Sequence, residues 1–319
     1  MSAAVLCAPL RVEQAALRGA GPGLRLVRTG MGPRRAAATA AHLGADPVLV
    51  AGVAGALTPG IHPGDVVVAS EIRSSPAFIA PSSTTGLSTW LGAALESNSA
   101  PGGLRSAVEI PSAPLLAGAL RQLGLRVHVG AISSVARIAW KPVVGEALAV
   151  DMESAQLAVP GVPFAVVRVI VDTPDHPLWH PGTLRGGVRA LRTLRACRPA
   201  LEWWAAATGP REIQLAEPRS VPVIAREVDL VLVVGPSSSA FLVEIARREG
   251  VPAYLIGEAG DIDLRWLEGT ARLGIAAGPA IPSGAVDQIV RCLGGLGPVR
   301  AAGDDIEKNI TVAVPREVS

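Results

Sequence analysis

The sequence predicts an α/β protein in two units, and three observations carry that expectation. Short β-rich runs alternate with Ala- and Leu-rich stretches from the first residues onward, as strands do when helices carry the chain between them. The chain has 319 residues, 49% of them hydrophobic, which is enough to bury two cores of ordinary size. The alternation lapses once, in the polar, proline-marked stretch ATGPREIQLAEPRSVP. A boundary near residue 208 follows, giving units 1–207 and 208–319.

Taken in order, AAVLCAP and GLRLVRTG read as strands and PRRAAATAAHL as a helix. PVLVAGVAGAL and GDVVVASEI read as further strands, apolar almost throughout and so buried on both faces. Residues 74 to 112 carry Ser, Pro and Gly punctuation and read as a loop with a short helix, a flap over a pocket. PLLAGALRQLG is then a helix, RVHVGAIS, AVDM and PFAVVRVIVD are strands, and TLRGGVRALRTLRACRPALEWWAAA closes the first unit as helix. A new cycle opens with strand DLVLVVG and helix SAFLVEIARREG, passes through PAYLIG, DIDLRWLEG and RLGIAAG, and ends in helix VDQIVRCL and strand NITVAV. No fixed-period repeat relates the halves.

Composition narrows the partners. There are 29 basic and 27 acidic residues, a formal net charge of +2, so no global field draws the chain to nucleic acid or an anionic membrane. A small ligand is expected. No apolar run is long enough to span a bilayer, and the N-terminus lacks a basic region followed by an apolar core. The expectation is a cytoplasmic protein with no stable membrane insertion. Cys7, Cys197 and Cys292 lie far apart with no CxxC pair, so buried free thiols are expected rather than a metal site or a disulfide framework. The five histidines do not cluster, and His176 and His180 read as solvated loop residues.

Chemistry concentrates in three places. AVDMESAQLA ends a strand with Asp151 and Glu153, acids that either cap the following helix or serve a site. PFAVVRVIVD ends in Asp172, and ligands of α/β sheets collect at the carboxyl ends of strands. RTGMGPRRAAATAA places Gly30 and Gly32 in a strand-to-helix turn, with Arg34 and Arg35 beside it. Such a turn lets backbone N–H groups approach an anion, although a plain tight turn accounts for it equally.

In this order and at similar spacing, TGMGPRRAAATAAHL, VLVAGVAGALTPGIHPGDVVVASEI, AVDMESAQLA and PFAVVRVIVD resemble the nucleoside phosphorylase and nucleosidase family. The likeness is greatest to hopanoid-associated phosphorylases and methylthioadenosine/S-adenosylhomocysteine nucleosidases. The resemblance implies a three-layer α/β/α fold on a mixed central sheet and cleavage of a purine N-glycosidic bond by phosphate or water. Met152 and Glu153 would hold the ribose, Asp172 would protonate purine N7, and Glu13 would orient the water or the sugar. Cleavage leaves positive charge on the sugar and negative charge on the base, which is why carboxylates and an acid belong there. Gly30, Gly32, Arg34 and Gly52 would line the phosphate or water side. Ser134, Arg137 and Gly55 would face the substrate. The stretch GAISSVARIAW stands where nucleosidases carry a Ser-x-Asp-x-Phe segment against the adenine, with Ala136 and Arg137 in its place. No cofactor is implied beyond phosphate as co-substrate. The partner is a small nucleoside, a 5′-modified adenosine such as adenosylhopane, and a homo-oligomer is expected.

From residue 212 onward, VDLVLVVG, PAYLI, DIDLRWLEG and the closing VPRE resemble the C-terminal third of the LytB family, the hydroxymethylbutenyl diphosphate reductases. That family places a cluster cysteine, a Ser-Ser-Asn segment and a further Ser here. This chain has no Cys before VDLVLVVG, a short GPSSSAF without the Asn, and Ala280 for the Ser. Ser237, Ser238 and Ser239 read as an N-cap cluster. A degenerate accessory unit is expected. The rival readings are an iron–sulfur isoprenoid diphosphate reductase and an inactive nucleoside-binding scaffold.

Overall fold

The structure is a computed structural model, and the description covers residues 3–74, 106–136, 147–173, 183–279 and 281–301. Two sheets organise these residues.

The first sheet is mixed, as expected. Strands β1 (Ala4–Ala8), β2 (Leu24–Arg28), β3 (Val48–Ala56), β4 (Val66–Ser74), β5 (Ser106–Glu109), β6 (Val127–Ser134), β7 (Ala149–Asp151) and β8 (Phe164–Asp172) form eight strands. β1 pairs parallel with β2 and β3, and β8 pairs parallel with β3 but antiparallel with β4. β4 runs parallel to β6, β6 parallel to β7, and β7 antiparallel to β3. The pairings β3–β8–β4–β6–β7 therefore return to β3 and close a ring. Closure brings the carboxyl ends of β3, β7 and β8 together, and these ends carry the chemistry.

Helices α1 (Arg11–Leu17), α2 (Pro33–Ala40), α3 (Ala113–Gln122), α4 (Ser154–Leu157), α5 (Thr183–Ala196) and α6 (Arg198–Ala206) pack around that sheet. α1 lies on α5, and α5 covers β8 and β3. The long helical run predicted at the end of the first unit is thus divided, with Cys197 between the two helices and Pro199 opening the second.

The second sheet is parallel throughout, in the order β11-β10-β12-β9-β13. Its strands are β9 (Arg211–Ala216), β10 (Leu230–Val234), β11 (Ala253–Ile256), β12 (Arg272–Ala277) and β13 (Val299–Ala301). Helices α7 (Val221–Ile224), α8 (Ala240–Arg248) and α9 (Ala285–Gly294) carry the crossovers. Alternate residues of β10 divide between two cores: Val231 and Val233 face Leu242 and Val243 of α8, while Leu230, Leu232 and Val234 join the core of the first sheet.

That larger core is continuous across both sheets, from Leu6 and Val50 to Leu232 and Leu293. α3 lies against the turn at Ala259–Asp261. There a Cβ on Gly118 would meet the Gly260 carbonyl oxygen at 2.0 Å, so the close approach requires glycine. Buried Trp204 donates its indole N–H to Ser112 Oγ at 3.4 Å in the same region.

Three readings change. Ser106–Glu109, placed within the loop of residues 74 to 112, is a strand that pairs antiparallel with β4; residues 75–105 of that expected flap lie outside the described residues. REIQLA, read as part of the boundary stretch, is strand β9 between β12 and β13, because Ile213 and Ala216 find buried positions that the polar flanks concealed. The expected last strand NITVAV lies outside the described residues, and the last described strand is β13. Among the described residues, no helix is long and apolar enough to cross a membrane.

Candidate functional site

The site grows from the carboxyl ends of β1, β2, β3, β7 and β8. β1 leads into α1, whose third residue is Glu13. Its carboxylate is 1% exposed and accepts the N–H of Leu10 at 2.6 Å and that of Val53 at 2.7 Å. Glu13 therefore both caps its own helix and ties it to β3. Burial pushes its carboxyl above the ordinary value, and the Arg168 charge and the two N–H donors offset part of that rise.

At the end of β2, Gly30 and Gly32 adopt φ of 77° and 94°, a region open to glycine at little cost. Gly32 N–H donates to Glu153 Oε1 at 2.8 Å, and Met152 lies close by, its methyl 3.9 Å from where a Gly32 Cβ would be. The expected Met-Glu pair and the glycine turn therefore meet. Glu153 stands at the N-cap of α4, yet its side chain caps nothing there. The capping alternative is not what occupies this carboxylate.

Arg168 was not singled out by sequence, and it is the centre of the site. It sits inside β8, is 0% exposed, and donates to Asp151 at 2.6 Å and 3.0 Å and to Glu153 at 3.3 Å. Asp151 also accepts the hydroxyl of Ser154. Burial alone would pull the Arg168 pKa down, but Asp151, Glu153 and Glu13 together hold it above its ordinary value. The available signal was a lone Arg in the apolar run PFAVVRVIVD, since a buried cation needs paired anions. Asp151, which by sequence either caps the following helix or serves a site, is the counter-ion of Arg168.

One donor of Arg168 is left over. Its Nη1 is buried without a partner, and both this atom and Glu13 Oε1 would lie within 2.7 Å of a Cβ on Gly52. Gly52 is thus the strand position that admits these two groups, beneath a donor and an acceptor side by side.

Asp172 ends β8 and pairs in register with Gly55 of β3, where the strand shifts register after Ala54. A Cβ on Gly55 would meet Asp172 Oδ1 at 3.0 Å. That oxygen is buried and unpartnered, and burial holds the Asp172 carboxyl above its ordinary value against its own backbone N–H. Asp172 and Glu13 thus lean on β3 three residues apart, about 10 Å along the strand.

Two further expected residues are described, and Ser134 pairs in register with Asp151. Ser134, at the end of β6, is buried, and its Oγ accepts the Ala155 N–H at 3.3 Å. Arg34 is exposed on α2. Arg137, His176 and His180 lie outside the described residues.

A profile of the phosphorylase superfamily matches residues 19–185. The chain belongs to that superfamily. The LytB protein family matches residues 217–294. The chain is 39% identical over 139 residues to a 4-hydroxy-3-methylbut-2-enyl diphosphate reductase of Sodalis glossinidius, covering 40% of this chain and 42% of that protein. It is 36% identical over 141 residues to the enzyme of the same name from Marinobacter nauticus, with 41% and 42% covered. This superfamily member therefore spans less than half the length of those reductases. Among solved structures, it is similar to a 5′-methylthioadenosine/S-adenosylhomocysteine nucleosidase from Helicobacter pylori (18% identity, 63% of this chain and 97% of that one, TM-score 0.47). It is also similar to the futalosine hydrolase of that organism (18% identity, 63% and 96%, TM-score 0.46).

The thiols of this superfamily member do not fit the iron–sulfur cluster that the reductase likeness raises. Cys7 lies in β1, Cys197 between α5 and α6, and Cys292 in α9, all free and buried. Burial pushes Cys7 and Cys197 up to about 12 and Cys292 to about 11, as for inert structural thiols. Among the described residues no group of three or more His, Cys, Asp or Glu could hold a metal.

Proposed function

We propose that this member of the phosphorylase superfamily cleaves the N-glycosidic bond of a purine nucleoside, with phosphate or water as nucleophile. The observation that carries the reading is the division of labour along β3. A proton-holding carboxyl, Asp172, leans on Gly55, and an acceptor–donor pair, Glu13 and Arg168 Nη1, leans on Gly52.

Glycosidic cleavage needs those two ends. Asp172, kept protonated to higher pH by burial, donates to the base and makes it a better leaving group. Glu153 and Met152 hold the sugar, whose developing positive charge the carboxylates of Glu153 and Glu13 stabilise. Arg168 keeps these acids from repelling one another and offers Nη1 to the nucleophile or a sugar hydroxyl. Gly30, Gly32 and Arg34 flank the nucleophile side, and Gly55 backs the acid. The chemistry requires no cofactor beyond phosphate. A 5′-modified adenosine, adenosylhopane among them, is the favoured substrate class. A homo-oligomer in the cytoplasm belongs to the same reading.

The test is adenine release from a panel of 5′-modified adenosines, with and without phosphate, comparing the native chain with Asp172→Asn. Release that needs Asp172 supports the reading, and its phosphate dependence separates phosphorylase from hydrolase. No release from any member of the panel overturns it in favour of a nucleoside-binding scaffold.

A further inference from the structure

The charges balance in the sequence but not on the surface. α1 and α5 lie side by side, and both run away from the carboxyl ends of the first sheet. Arg11 of α1, Arg18 just past its end, and Arg189, Arg192 and Arg195 of α5 are exposed. Among the described residues the acids on this side are withdrawn: Glu13, the acid of α1, is buried in the site, and α5 has none. Glu202 of α6 accepts the Gly21 N–H at 2.6 Å.

Two further features distinguish this face from a merely solvated one. Val12 on α1 is 54% exposed and Val188 on α5 is 47% exposed, so large apolar side chains stand among the arginines. Where the helices end, a groove of about 430 Å³ is lined by Gly19, Arg192, Arg195, Arg198 and Glu202. Arg198 is spent on the carbonyls of Arg18 and Arg195, while Arg192 and Arg195 have no acidic partner among the described residues.

We infer that the α1–α5 face docks the protein reversibly on an anionic lipid bilayer, with the valines entering the interface and the arginine-lined groove receiving a headgroup phosphate. Charge complementarity selects an anionic occupant. The exposed valines, and the lack of aromatic residues on either helix, favour a bilayer over a single-stranded nucleic acid, which is gripped by stacking on aromatic rings. This docking is peripheral, and it is independent of the glycosidic reading because its test measures binding alone.

The full chain is sedimented with phosphatidylglycerol vesicles and, separately, with phosphatidylcholine vesicles. Binding is expected to the former only, and to vanish at about 1 M salt, where charges are screened within about 3 Å. Arg192→Gln with Arg195→Gln is expected to weaken it roughly thirtyfold, from two surface cations. Arg11→Gln with Arg18→Gln, on the other helix, gives a similar loss and guards against a local folding defect. Val12→Ser with Val188→Ser weakens binding without changing its salt dependence. Equal binding to both vesicles, binding to neither, undiminished binding by both arginine pairs, or preference for a double-stranded RNA polymer over the vesicles would each overturn the proposal.

Discussion

The guanidinium of Arg168 meets the carboxylate of Asp151 through two of its nitrogens, at 2.6 and 3.0 Å, with both side chains sealed from solvent. This pair sets the charge of the whole site, because Glu153 shares the same cation. Asp151→Asn removes the two charge-assisted hydrogen bonds from Arg168 to this carboxylate while Glu153 and Glu13 still face the cation. It is expected to cost about 1.5–3 kcal/mol, read as a lower urea midpoint at unchanged slope. A loss below about 1 kcal/mol would show that the pair carries little of the site's stability.

Asp172→Asn is expected to lower the rate of base release by about 10² to 10⁴, the usual worth of a placed acid. The native pH profile should fall on its alkaline side as Asp172 loses its proton, at a pH above the ordinary aspartate value of 3.8. On its acid side it should fall as Glu13 gains one, above the ordinary 4.5. The asparagine variant should lack the alkaline limb. If that limb survives unchanged in residual activity, another group is the acid.

Stability carries the same signature with a definite sign. Glu13 and Asp172 both hold protons more tightly folded than unfolded. Their contribution is therefore fully present below the unfolded values and is lost as pH rises through the folded ones. Asp172→Asn should flatten that decline, measured as unfolding free energy against pH from the acid range to neutrality. An identical slope in the variant would contradict the raised carboxyl.

Gly118→Ala tests the seam between the sheets. The new methyl meets the Gly260 carbonyl oxygen at 2.0 Å, a backbone atom that cannot swing aside, and should destabilise by about 1–3 kcal/mol through overpacking. Because one core spans both sheets, the native chain should melt in a single transition. Two separated transitions, with only one moved by the substitution, would show that the seam is not shared.

Sequence by itself determined the alternation of strands and helices, since period and length of apolar runs decide it locally. It also determined the positions of Asp151 and Asp172, because each closes a strand and a strand end is visible where an apolar run stops, with Glu153 two residues beyond the first. Gly30 and Gly32 were legible for a similar reason: a strand running into a helix needs a turn that only glycine makes cheaply. The tertiary structure decided what those residues face. Which acid Arg168 would take as its partner depends on β7 and β8 being brought together by the closed ring, and no spacing in the chain encodes that. REIQLA became a strand because β12 and β13 flank it, and pairing with partners distant in sequence outweighs a weak local pattern. The arginine face of α1 and α5 was hidden in a net charge of +2, because composition averages over the surface while folding turns the neighbouring acids inward.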